Sequence, residues 1–92
     1  MITNVLVRPN PFSTSFTMEI TCEQSKHTIV RLFNPEGRII KMFSWFLIKG
    51  TNITNITELG LVKEGVCRLD ILDNEGNLLH TLTIAKEVVK VV

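Results

Sequence analysis

Cysteine is scarce in this sequence: Cys22 and Cys67 are the two in its 92 residues. That number excludes a disulfide-built scaffold, and without a C-x-x-C pair there is no redox or zinc signature. Long apolar runs are missing too. The longest, Met42 to Ile48, is interrupted by Ser44 and falls far short of the roughly 20 residues that a membrane-crossing helix needs. The start, Met1-Ile2-Thr3-Asn4-Val5, lacks the basic opening and apolar segment of a signal peptide. This suits either a cytosolic chain or a piece of a longer precursor. An excess of one charge is also absent, since ten basic and nine acidic residues leave a net +1. With those charges spread along the chain, there is no basic stripe for nucleic acid and no acidic tail.

The usual signs of catalysis are equally thin. Ser13, Ser15, Ser25 and Ser44 lie in no G-x-S-x-G context. Gly37, Gly50, Gly65 and Gly76 are spaced as strand breaks, not as a phosphate-cradling loop. Cys22, His27, Cys67 and His80 match no compact zinc-ligand spacing. His80 shares the phase of Leu78, Leu82 and Ile84, as a hydrogen-bonded structural histidine would. Glu19, Glu23, Asp70 and Asp73 fall on exposed strand phases or in turns. The expectation is a protein that is not an enzyme and binds no metal and no cofactor.

What the sequence does have is a packed composition, 45% hydrophobic and 21% charged. A chain of this size buries roughly 60–65% of its unfolded surface, enough for one core. Its dominant period is two. Phe16, Met18, Ile20 and Cys22 alternate with polar neighbours, and Cys67, Leu69 and Ile71 repeat the pattern. Val30 and Leu32 flank Arg31 in the same way. Asn34-Pro35-Glu36-Gly37, Lys49-Gly50 and Asp73-Asn74-Glu75-Gly76-Asn77 separate the runs with turn chemistry. Seven strands are expected, at about 3–8, 14–22, 27–33, 38–48, 51–57, 65–73 and 77–86. The predicted fold is all-β, a seven-stranded antiparallel immunoglobulin-like β-sandwich in one domain over residues 1–92. The closing residues 88–92 are expected either to extend the last strand or to fray.

Three local features bear on function. The fourth strand is apolar on both phases, with Ile39, Phe43, Trp45 and Leu47 on one and Ile40, Met42, Phe46 and Ile48 on the other. Such a strand is either central or covered from outside, which makes Phe43, Trp45 and Phe46 contact-surface candidates. Asn52-Ile53-Thr54 and Asn55-Ile56-Thr57 are sequons, though Asn and Thr also suit an exposed strand face. Cys22 ends the second strand and Cys67 begins the sixth. If successive strands alternate in direction, the two thiols sit at opposite rims, beyond the roughly 7 Å that a disulfide allows between Cα atoms.

From Pro9-Asn10-Pro11-Phe12 onward the chain resembles a known family. A short strand, Val5-Leu6-Val7-Arg8, leads into Pro9-Asn10-Pro11 and then an alternating strand from Ser15 to Ile20. Val30-Arg31-Leu32-Phe33 precedes Gly37-Arg38-Ile39-Ile40, and Gly50-Thr51-Asn52 opens another strand. Leu59 is followed by Gly65-Val66-Cys67-Arg68-Leu69, then by Asp73-Asn74-Glu75-Gly76 and a strand ending Ile84-Ala85-Lys86. In this order the motifs are similar to the C-terminal sorting domain of the type IX (Por) secretion system of Bacteroidetes. The resemblance covers residues 5–87. Cys67 stands where that family has an aromatic residue, 60–64 lengthen a loop, and 88–92 run past the usual end.

The resemblance implies a non-catalytic sorting signal at the end of a secreted precursor. An outer-membrane translocon would read it, and a sortase-like protease would remove it while attaching the upstream cargo domain to the cell surface. The chain would travel through the periplasm to the outer-membrane surface or the medium. The implied recognition residues are Pro9, Asn10, Pro11, Gly37, Arg38, Gly65, Gly76 and Lys86. Pro9 and Pro11 fix φ and remove two amide donors, which suits a rigid exposed corner. From the residues alone, the alternative is an autonomous immunoglobulin-like adhesion or carbohydrate-binding module that uses the aromatic strand. Self-association through that strand stays open, whereas nucleic acid and an integral membrane segment are not expected as partners.

Overall fold

Alternation in the sequence becomes alternation in burial. In β2 (Phe16–Cys22) every second side chain is buried, and in β3 (Lys26–Phe33) Thr28, Val30 and Leu32 point inward. The other strands are β1 (Ile2–Arg8), β4 (Ile39–Leu47), β5 (Gly50–Ile56), β6 (Gly65–Asp73) and β7 (Leu78–Lys86). The structure, a computed structural model, describes residues 1–88. The expected continuation of β7 or fraying over 88–92 lies, from 89 on, outside the described residues, and β7 ends at Lys86. The seven strands form two antiparallel sheets, ordered β1-β2-β5 and β4-β3-β6-β7. This is a seven-stranded immunoglobulin-like β-sandwich, with no helix among the described residues and hence none long and apolar enough to cross a membrane.

Between the sheets lie Phe12, Phe16, Met18, Ile20, Val30, Leu32, Leu47, Leu59, Leu69, Ile71 and Ile84, all essentially solvent-free. Both cysteines are buried and free. Cys22 faces Ile2 and Gly50 at one end, while Cys67 lies two residues from Gly65 at the other. Opposite rims therefore keep the thiols apart, as the strand count implies. Of the two readings open for the double-faced strand, burial at the centre fails. β4 is an edge strand of the larger sheet. Its inner side is enclosed at Leu47, where the chain crosses to β5, but only half-buried at Phe43 and Trp45.

Two hairpins of the larger sheet are closed by the same turn. In Asn34-Pro35-Glu36-Gly37-Arg38 the Asn34 Oδ1 accepts from the Glu36 and Arg38 amides, at 3.0 and 2.9 Å. In Asp73-Asn74-Glu75-Gly76-Asn77 the Asp73 Oδ1 accepts from the Glu75 and Asn77 amides, at 2.9 and 2.8 Å. The fourth residue of each is a glycine at positive φ, +85° for Gly37 and +87° for Gly76, where a β-carbon would be strained. An Asx side chain thus supplies the acceptor that the reversing backbone lacks.

Asp73 was expected in an exposed turn, but it is 9% exposed, because its carboxylate is turned back onto that turn. The Asn77 amide, the Asn77 side chain and the Glu75 amide hold its pKa below the ordinary carboxylate value, against a smaller opposing push from burial. A depressed folded pKa gives stability that is complete above the ordinary carboxylate range and is lost as pH falls through the lower folded value. Asp73→Asn should therefore lower Tm at neutral pH and flatten the acid limb, so that wild type and variant converge as pH falls below the ordinary carboxylate range. Thermal melts across the acid range check this. Parallel curves at every pH would show that the carboxylate charge does not matter.

The link from β4 to β5 changes sheets within Ile48 and Lys49, and so leaves strand pairing. Asn52 repairs this. Its Oδ1 accepts from the Ile48 amide at 2.9 Å, and its Nδ2 donates to the Ile48 carbonyl at 2.9 Å and to the Gly50 and Ile20 carbonyls at 3.3 Å. The Asn of the first sequon is thus an internal brace, 9% exposed. Asn55 of the second is exposed and accepts from the Thr17 hydroxyl at 2.8 Å.

Candidate recognition surface

The motif residues lie far apart in sequence, and the fold brings most of them to one end of the sandwich. Pro9, Asn10 and Pro11 form an exposed corner after β1, with both prolines cis. The corner is pinned to the end of β7. Asn10 Oδ1 accepts from the Ala85 amide at 3.0 Å, the Phe12 amide donates to the Ala85 carbonyl at 2.9 Å, and the Glu87 amide donates to the Phe12 carbonyl at 2.9 Å. Phe12 then enters the core and meets Phe16 edge-on, ring centroids 5.1 Å apart.

Lys86 faces Phe12 on one side and Gly65 on the other. Gly65 in turn lies against the β3–β4 turn that carries Gly37 and Arg38. A β-carbon there would sit 2.9 Å from Pro35 Cγ, at a φ of +146°. The rim therefore collects Pro9, Asn10, Pro11, Gly37, Arg38, Gly65 and Lys86. Gly76 lies at the opposite end, in the β6–β7 turn.

Exposure divides the set. Pro9, Asn10, Pro11, Gly37 and Arg38 are open to solvent, whereas Lys86 is 3% exposed and its ammonium donates to the Glu87 carbonyl at 3.1 Å. Burial pushes the nearby Cys67 thiol up, and the Lys86 charge partly opposes this. A partner meeting the folded rim would touch the proline corner and the Arg38 guanidinium, with the Lys86 side chain enclosed beneath them.

The aromatic candidates do not form one patch. Phe43 and Trp45 are on the inner phase of β4, half-buried, with ring centroids 6.4 Å apart. Trp45 is held in register by the Thr28 hydroxyl, which donates to its carbonyl at 2.6 Å. Phe46 is on the outer phase, 50% exposed, its ring 4.6 Å from that of His27. Trp45 keeps an open side on this edge strand.

The four potential zinc ligands are scattered. Cys22 and His27 lie near one rim, Cys67 near the other, and His80 stands half-buried on β7 opposite Ile71. No side-chain hydrogen bond is formed by His80 among the described residues, so partial packing alone accounts for its position. Cys22 donates to the Ile48 carbonyl at 3.1 Å and lines a cleft with Met1, Ile2, Gln24, Lys26, Leu47 and Leu79.

No protein-family model and no curated protein matches this sequence. Among solved structures the chain is similar to part of the β-D-glucoside glucohydrolase of Trichoderma reesei, with a TM-score of 0.59 and 11% identity over 95% of this chain and 18% of that one. It is also similar to part of the Listeria innocua β-glucosidase in complex with glucose (TM-score 0.57, 11% identity, 95% and 16% covered). A third likeness is to the Bifidobacterium adolescentis GH3 β-glucosidase (TM-score 0.57, 12% identity, 99% and 18% covered). The chain spans less than a fifth of each of these enzymes. At such identity the likeness is one of fold. The same sandwich occurs there as one part of a longer polypeptide.

Proposed function

We propose that this chain is a non-catalytic sorting domain at the end of a longer secreted polypeptide, read by the type IX translocon to deliver its cargo to the cell surface. One observation supports the reading above the others. Seven of the eight residues that the resemblance implies for recognition, spread from residue 9 to residue 86, lie at one rim whose exposed part is the proline corner with Gly37 and Arg38, and only Gly76 lies at the other. Two prolines in a corner pinned by Asn10 present a surface of fixed shape, which costs little ordering entropy when a partner docks. The occurrence of this fold as a minor part of larger enzymes also suits an appended domain.

The test is a reporter with an export leader, fused ahead of residues 1–92 in a type IX-competent cell. The reporter should reach the surface, and should stay in the periplasm in a strain without the translocon. Display that persists in that strain would overturn the proposal. A contact module for polysaccharide is the second reading, favoured by the open side of Trp45 and the exposed Phe46 ring. Retardation of the isolated domain in polysaccharide-containing gels, lost in Trp45→Ala, would support it over the first.

A further inference from the structure

The outer face of the larger sheet contains a charge without a partner. Arg31 lies on that face of β3, flanked across the strands by Met42 of β4 and Asp70 of β6. Asp70 is the natural counter-ion, but it forms no ion pair with Arg31, and one of its oxygens is engaged elsewhere. Its Oδ1 accepts from the Thr81 hydroxyl at 2.6 Å and pairs with Arg68 Nε at 3.3 Å. Arg68 also stacks on the Phe33 ring, 4.1 Å from its centroid, and so is committed twice. Arg31 is left with a buried Nε that has no hydrogen-bond partner, and it forms no ion pair among the described residues. A buried donor without an acceptor is uncommon in folded proteins and calls for a cause.

On the side away from Asp70 the neighbours of Arg31 are apolar. Met42, directly across on β4, is 62% exposed, and Ile29 and Phe33, two residues either side of Arg31 on the same face of β3, are half-buried. An arginine beside apolar side chains that stay partly open to solvent has the composition of a protein-binding hot spot. The buried Nε is closed to an incoming group, but the terminal Nη atoms are open and unpaired among the described residues, and a carboxylate matches their planar fork in a bidentate pair. Polyanions such as nucleic acid need several free cations in a row, and here the neighbouring Arg68 is taken.

We infer that the outer face of the β4-β3-β6-β7 sheet docks a protein segment that places an Asp or Glu carboxylate on Arg31 between apolar neighbours. This surface is separate from the rim of the sorting proposal and does not depend on it. The probe is the peptide acetyl-Leu-Glu-Leu-amide, with its glutamine counterpart as control, titrated into isotope-labelled protein at millimolar concentration. The Glu peptide should shift the Arg31 Nε–H resonance and the amides of Ile29, Phe33, Met42 and Asp70. Its binding should be roughly tenfold tighter than that of the Gln peptide, the usual margin of a charge-assisted pair. Arg31→Gln should abolish the difference between the peptides, and the comparison on wild-type protein holds even if that variant folds poorly. Equal binding of both peptides, no shift, or shifts confined to the Cys22 cleft would overturn the inference. Shifts on this face that depend on protein concentration without peptide would make the occupant a second copy, and would overturn it too.

Discussion

Phe12→Ala is expected to destabilise the domain by about 3–5 kcal/mol, the usual cost of deleting a buried phenyl group. Phe12 is fully buried although it directly follows an exposed corner. Its ring fills the end of the core against Phe16, and its backbone bonds to Ala85 and Glu87 seal β7 over the rim. Alanine leaves a cavity that the pinned corner cannot collapse into. For a domain of this size each kcal/mol lowers Tm by roughly 4–8 °C, so a fall of about 12 °C or more should appear in a thermal melt. Phe12→Leu, which keeps most of the volume, should cost well under half as much. A loss within about 1 kcal/mol for Phe12→Ala, inside the ordinary range for surface changes and small trims, would mean that the ring is not a core anchor. The same variant bears on the sorting proposal. If the folded rim is what the translocon reads, the fusion should lose surface display as the rim loosens, while Pro9 and Pro11 are unchanged.

Asn52→Ala should cost about 2–3 kcal/mol, since it removes one amide side chain but strands several groups. The Ile48 N–H and C=O lose partners at 2.9 Å each, and the Gly50 and Ile20 carbonyls lose weaker ones. Those groups lie where the chain passes between sheets, and no strand is there to replace the side chain. Asn52→Asp separates the roles: it keeps the acceptor for the Ile48 amide, loses every donor, and brings a charge into a nearly enclosed site. It should be at least as destabilising as alanine at neutral pH and recover on acidification. Chemical denaturation at two pH values measures both. An Asn52→Ala midpoint equal to wild type would remove the brace from the account of the crossover.

Much of this architecture was legible from the residues. Half-buried strands announce themselves locally, because the pleat sends Phe16, Met18 and Ile20 to one side and their polar neighbours to the other. Turns are legible for the same reason: Asn34 and Asp73 followed three residues later by glycine satisfy a geometry five residues long. The separation of Cys22 from Cys67 followed from strand direction alone. Where a residue does two jobs the reading failed. Asn52 looked like a surface sequon because its hydrogen-bond partners include Ile20, 32 positions away. Asp73 reads as an exposed turn acid, although the Glu75 and Asn77 amides that turn its carboxylate back are only two and four residues away.

By itself the sequence determined the strands, their turns, the all-β class and the free thiols, since each depends on period, local φ preference or chain direction. Only tertiary structure decided that β4 lies at an edge. A strand apolar on both phases satisfies the centre of a sheet and a partly covered edge equally well, and the choice rests on the order in which distant strands pair. Tertiary structure also gathered Pro9–Pro11, Gly37, Arg38, Gly65 and Lys86 onto one rim, and enclosed the Lys86 ammonium while leaving Arg38 in solvent. The orphaned Arg31 belongs to the same class, because an arginine's partner is set by which neighbouring strand claims the carboxylate across from it. Those outcomes depend on contacts between residues dozens of positions apart, and no local pattern encodes a distance across the sandwich.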